Sequence, residues 1–149
     1  MQNPIIVALD VPSTQKALKL AEELAAVVGA FKVGKQLFVS GGPDVVRKLR
    51  GLGAKIFIDL KFHDIPNTVA KAVQSATDLG VDMLTVHASG GSEMLGAAES
   101  AGHEQAAMLR SEPPLILGVT VLTSMDDANL AELGLSLIHI SEPTRRLRI

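Results

Sequence analysis

The chain has 149 residues, 47% of them hydrophobic and 20% charged, with a formal net charge of −2. That composition fills the core of one domain, and with no basic run interleaved with aromatics, and no Trp or Tyr, it excludes a nucleic-acid-binding surface. Cys is absent, which removes a disulfide framework, a thiolate metal site and a Cys nucleophile. The start Met1-Gln2-Asn3-Pro4 lacks the charged and apolar regions of a signal peptide, and no apolar run approaches membrane-spanning length. A cytoplasmic protein that engages neither nucleic acid nor membrane is expected.

Ile5-Ile6-Val7-Ala8-Leu9-Asp10 reads as a first buried strand ending in an acid. Pro12 and Ser13 punctuate it, and Ala17, Ala21, Leu24 and Val28 mark the inner stripe of a helix. Phe31-Lys32-Val33-Gly34 is a second strand, followed by a turn at Leu37-Phe38, a break at Gly41-Gly42-Pro43 and a helix through Val45, Val46 and Leu49. Lys55 to Leu60 is a third strand, apolar and β-branched. Asp64 is placed as the N-cap of the next helix, with Pro66 in its first turn and Val69, Ala72, Val73 and Ala76 inward. Val81 to His87 is the fourth strand, leading through Gly90-Gly91 into an Ala-rich helix from Met94 to Met108. Pro114 to Thr120 is the fifth, with Leu122-Thr123-Ser124 as its exit loop.

Strand and helix alternate five times at intervals of roughly 25 to 30 residues, the size of a βα unit. A parallel sheet covered by helices follows, closed either as a doubly wound sheet or as a (β/α)₈ barrel. Asp10-Val11-Pro12-Ser13 lacks the glycine pattern that a dinucleotide-binding sheet wants after its first strand. Charged strand ends favour the barrel, whose sites collect at the C-terminal face of several strands. A barrel needs eight strands; five are legible here.

On the third strand Phe57, Asp59 and Lys61 share one face, while Ile56, Ile58 and Leu60 share the other. Asp59 and Lys61 therefore stand side by side, roughly 6.6 Å apart at the backbone. With Asp10 ending the first strand and Lys32 in the second, four charges of alternating sign converge in the barrel mouth. Each carboxylate keeps its neighbouring ammonium groups protonated, and they in turn keep it ionised, against the desolvation that would neutralise both.

The segment Asp59-Leu60-Lys61-Phe62-His63-Asp64-Ile65-Pro66-Asn67-Thr68 resembles the signature of orotidine 5′-phosphate decarboxylases. Its Asp-x-Lys-x-x-Asp skeleton is shared with a wider group of sugar-phosphate decarboxylases and aldolases; the Phe-His and Ile-Pro-Asn-Thr flanks are what pick out the orotidylate branch. The resemblance covers about residues 4 to 134 and implies a TIM barrel of which the first five βα units are present. It implies a cofactor-free, metal-free carboxy-lyase that converts orotidine 5′-phosphate to UMP and CO₂. The implied catalytic array is Lys32, Asp59, Lys61 and Asp64, with Asp64 and Thr68 supplied by the neighbouring subunit of a homodimer. Asp10 and Lys32 match positions that hold the ribose hydroxyls, and Ser124 matches the residue that hydrogen-bonds the pyrimidine ring. A magnesium-dependent enzyme of the same superfamily is the alternative, against which Lys32 argues at the metal position of strand two.

His63 beside Asp64 makes no metal pair, since adjacent side chains diverge and no third ligand is in sight. His87, at the end of strand four, reads either as lining the pocket or, in preference, as a satisfied structural histidine, and His103 as part of a solvated helix end. Gly41-Gly42 and Gly90-Gly91 are weak phosphate candidates. In barrels of this kind phosphate belongs at the loops after strands seven and eight.

Leu135 to Ile149 break the pattern. Their first eleven residues look like the conceptual translation of a transposon-end adapter used in preparing sequencing libraries. Residues 1–134 are thus expected to form the partial barrel and 135–149 a non-native tail. Strand five is expected to be an unpaired edge, and the chain as written to turn over little substrate or to be a non-catalytic fragment.

Overall fold

The computed structural model describes residues 3–135 and the backbone of residues 144–146. Its elements run β1 (Ile6–Ala8), α1 (Thr14–Leu24), β2 (Ala30–Gly34), α2 (Lys35–Gly51), β3 (Ile56–Phe62), α3 (Pro66–Asp78), β4 (Met83–His87), a single 3-10 turn (Ala88–Gly90), α4 (Gly91–Leu109), β5 (Leu115–Val119), α5 (Asp127–Glu132) and β6 (Thr144–Arg146). The sheet order is β1-β2-β3-β4-β5-β6, with β1 to β5 parallel and β6 antiparallel to β5. Right-handed crossovers by helices are what bring successive strands of such a chain side by side.

Alternation along the strands sorts the sheet into two faces. Phe31, Val33, Ile56, Ile58, Leu84, Val86 and Ile116 join Leu37, Val45, Val46 and Leu49 of α2, Val69, Val73 and Ala76 of α3, and Met94, Ala98 and Ala101 of α4 in one apolar cluster. The other face carries Lys32, Phe57, Asp59, Thr85, Leu117 and Val119. Leu84 lies fully buried on the central strand β4. Leu84→Ala is expected to destabilise the fold by about 2 to 5 kcal/mol through lost transfer energy and the cavity left behind, measured as a shift in urea midpoint.

Three local expectations are corrected, and the break at Gly41-Gly42-Pro43 holds. Leu37-Phe38 is helical rather than a turn: α2 starts directly after β2 because Leu37 extends the buried stripe of Val45, Val46 and Leu49. The anticipated break falls within α2 at Gly42 (φ 60°, ψ −164°), a conformation glycine adopts without steric cost, and Pro43 starts the second segment. Helix α1 ends at Leu24, four residues short of Val28. Asp64 does not cap α3: it lies one residue before the N-cap position, which Ile65 holds without a side-chain bond, and Pro66 follows as the first helical residue. Asp64 Oδ1 instead accepts from the Ile65 N–H at 2.7 Å.

Strand five is not an open edge. Leu117, Gly118 and Val119 pair antiparallel with Arg146, Arg145 and Thr144. This is a strand, but not the parallel strand of a sixth βα unit. Tail positions 136–143 and 147–149 lie outside the described residues. Helix α5, absent from the sequence reading, is closed by a reciprocal cap in which Asp126 accepts from the Asn129 N–H at 2.9 Å and the Asp126 N–H donates back to Asn129 Oδ1 at 3.3 Å. Among the described residues no helix is long and apolar enough to cross a membrane.

Candidate active site

The site is built where β1, β2, β3 and β4 end together. Between the paired positions Ile58↔Leu84 and Phe62↔Val86, β3 advances four residues while β4 advances two, so Asp59-Leu60-Lys61 bulges out of the ladder. Lys61 sits at the bulge with φ 55°, a left-handed conformation that costs a side-chain-bearing residue on the order of 1 to 3 kcal/mol. Despite this bulge, Asp59 and Lys61 keep the shared face that strand alternation predicts.

The charges form a chain in space. Lys61 Nζ donates to Asp59 Oδ1 at 2.7 Å, Lys32 Nζ lies 3.6 Å from Asp59 Oδ2, and the same Nζ lies 3.4 Å from Asp10 Oδ1. The Asp59, Lys61 and Lys32 side chains are 16%, 24% and 22% exposed, whereas Asp10 is 68% exposed at the rim. Burial by itself raises the pKa of Asp59. The Lys61 hydrogen bond and charge, the Thr85 hydroxyl and the Lys32 charge together outweigh it and hold the carboxyl below its ordinary 3.8.

That shift makes stability depend on pH in a defined sense. Below 3.8 the unfolded carboxyl binds a proton that the folded one still refuses, so Asp59's contribution is whole above 3.8 and lost as pH falls through the lower folded value. Asp59→Asn is expected to flatten this acid limb, as followed by urea midpoints at successive pH values; an unchanged limb would contradict the pairing.

A cavity of about 250 Å³ opens beside these groups, lined by Phe57, Asp59, Lys61, Thr85, Leu117 and Val119, with Val121 to Thr123 at its lip. Thr85, which the sequence reading passed over, is buried at 3% exposure and bonds both to Asp59 Oδ1 (3.0 Å) and to the Lys61 N–H (2.9 Å). Its signal in the sequence is one hydroxyl in the otherwise apolar run Met83-Leu84-Thr85-Val86.

Other named residues stay outside this array. Asp64 and Thr68 are exposed, Asp64 turned to its own backbone. Ser124 is exposed in the loop after β5, and α5 is capped by Asp126. His63 and His87 approach with ring centroids 5.3 Å apart and a 39° tilt. Burial first, then the charges of His63, Lys35 and Lys61, push His87 below its ordinary 6.5. His103 is exposed and sits 3.1 Å from Glu99 one turn earlier in α4. Among the described residues no group of three or more His, Cys, Asp or Glu is arranged to hold a metal ion.

Two half-buried ammonium groups flanking one ionised carboxylate, at the wall of an apolar-sided cavity, can attract an anionic substrate and stabilise negative charge that develops near Lys61.

Comparison with known proteins bears on this arrangement. The sequence matches the Orotidine 5'-phosphate decarboxylase / HUMPS family pattern over residues 3–142. It is 50% identical to the orotidine 5'-phosphate decarboxylase of Carboxydothermus hydrogenoformans over 134 residues, 90% of this chain and 55% of that protein. It is 53% identical to that of Syntrophotalea carbinolica over 130 residues, 87% of this chain and 53% of that protein. Among solved structures, the orotidine 5'-phosphate decarboxylase of Lactobacillus acidophilus superposes with a TM-score of 0.75 at 39% identity, covering 89% of this chain and 59% of that one. The chain thus spans about half the length of the curated relatives it matches.

Proposed function

Because this chain belongs to the orotidine 5'-phosphate decarboxylase / HUMPS family, we propose that its charged array is the N-terminal share of an active site that converts orotidine 5′-phosphate to UMP and CO₂ in pyrimidine synthesis. The observation that carries the reading is the Asp10–Lys32–Asp59–Lys61 series at the strand ends, with Lys61 Nζ 2.7 Å from Asp59.

Decarboxylation breaks the bond from C6 to the carboxylate carbon and leaves the electron pair on C6, in the ring plane, where the π system cannot take it up. Protonated Lys61 stabilises that pair electrostatically and then gives C6 the proton that replaces CO₂, recovering its own from solvent. Asp59 pairs with and orients both Lys61 and Lys32, as their 2.7 Å and 3.6 Å approaches support. Asp10 and Lys32 receive the ribose hydroxyls. Ser124 reaches the pyrimidine ring from the loop after β5. No organic cofactor or metal takes part in this route. Decarboxylation surviving Lys61→Ala would overturn the assignment, and loss of activity with EDTA would move it to the magnesium-dependent branch.

In this reading the enzyme is a cytoplasmic homodimer, and Asp64 and Thr68 complete the partner's site. Both are exposed beside the exposed Ile65 and neither joins the array of its own chain. In a barrel-complete version, mixing the inactive Lys61→Ala and Asp64→Ala proteins is expected to restore about a quarter of the wild-type sites. Half of the randomly formed dimers are mixed, and each mixed dimer carries one intact site. No recovery on mixing would place Asp64 in its own subunit's site.

A further inference from the structure

We propose that Thr85 is the positioning residue of the Asp59–Lys61 pair, one hydroxyl that fixes the lysine through its backbone and the carboxylate through its side chain. The consequence for turnover rests on the decarboxylase reading; the geometry does not.

The bulge in β3 takes the Lys61 N–H out of register with β4, and the group is half-buried, so it needs an acceptor. The acceptor is Thr85 Oγ1, at 2.9 Å. A hydroxyl has one proton and two lone pairs. With a lone pair committed to Lys61, the proton goes to Asp59 Oδ1 at 3.0 Å. That oxygen also receives Lys61 Nζ at 2.7 Å, while Oδ2 faces Lys32 at 3.6 Å. The carboxylate is thereby held by three groups from three strands and cannot rotate without losing one of them. Lys61 in turn is tied at both ends, by its amide to Thr85 and by its ammonium to Asp59. The left-handed backbone at φ 55° persists because these bonds oppose its relaxation into the ladder.

A plain structural threonine looks different. Thr77, the other buried polar residue among those described, donates at 2.8 Å to the Val73 carbonyl one turn back in its own helix. Both bonds of Thr85 cross to another strand and end on the two charged residues of the site. Valine would serve the strand equally well by shape and propensity. The hydroxyl is needed only for what it does to β3.

The test uses the ligand-free 149-residue chain with Thr85→Val and Thr85→Ser, read by amide hydrogen exchange at Lys61 and by NMR titration of the Asp59 carboxyl. In the unsubstituted chain the Lys61 amide is expected to be protected like its β3 ladder neighbours. In Thr85→Val it should exchange about tenfold faster, the worth of one hydrogen bond. The Asp59 midpoint should rise toward the ordinary value, and Thr85→Ser should restore both. Unchanged exchange and titration in Thr85→Val overturn the proposal. If that variant does not fold, a Lys61 amide in the unsubstituted chain exchanging as fast as an exposed loop amide overturns it. Neither readout involves orotidylate, so failure of the decarboxylase reading leaves them intact, and their failure leaves the Lys61 dependence of catalysis standing.

Discussion

Lys61→Ala is expected to abolish decarboxylation almost completely in a polypeptide that joins residues 1–134 of this chain to the unmatched C-terminal part of the Carboxydothermus hydrogenoformans relative. Two separate losses combine. A preorganised charge aimed at a developing anion is worth roughly 10²- to 10³-fold, and a positioned proton donor roughly 10²- to 10⁴-fold. Together they set a fall of about 10⁴-fold or more in kcat, equivalent to about 5.4 kcal/mol at 1.36 kcal/mol per decade. Asp59 would also lose the nearest of its cationic neighbours, at 2.7 Å, and its carboxyl would titrate higher. The comparison is made by measuring CO₂ release by the joined polypeptide with and without the substitution. A reduction of less than tenfold would mean that the proton comes from elsewhere.

The second large effect concerns the 149-residue chain by itself, which is expected to show kcat/KM at least about 10⁴-fold below that of the joined polypeptide. The reasoning is energetic. Binding energy gathered at a substrate's non-reacting phosphate is what holds the reacting ring against the catalytic groups. In barrels of this kind that grip comes from loops after strands seven and eight. The described cavity offers Asp59, Lys61, Thr85 and Thr123 as its polar lining. These residues are suited to the reacting end of the substrate and supply no second anion clamp. Robust CO₂ release by the purified 149-residue chain would show that the phosphate contributes little here.

How much of this could be read from the amino-acid order depends on the range of the interaction. Five parallel strands were legible because each is a short apolar run bounded by glycine or proline, and the helices because their buried residues recur at helical spacing. Asp59 and Lys61 were found because strand alternation is a local rule, and it survived the bulge. The Leu37-Phe38 segment was misread because two flanking polar residues and a following Gly-Gly-Pro mask a helix held by tertiary burial of Leu37. The Asp64 cap failed because Pro66 is the first helical residue, which makes Ile65 the N-cap, and the Asp64 carboxylate takes the adjacent Ile65 N–H instead. Thr85 was missed for a different reason. Its partners are 24 and 26 residues away, and only the register slip between β3 and β4 brings them together. The antiparallel β6 was beyond reach as well, since nothing in Thr144-Arg145-Arg146 carries a strand pattern.

That last pairing bears on assembly. The flank of β5 now taken by Thr144 to Arg146 is the one that a closing barrel gives to a parallel neighbour, and one row of N–H and C=O groups cannot serve both. Thr144–Arg146 therefore competes with any parallel strand for this flank: a polypeptide supplying the remaining strands must evict β6 before it can dock. Among the described residues three residue pairs hold β6 in place, and removing residues 135–149 turns a guarded flank into a receptive one.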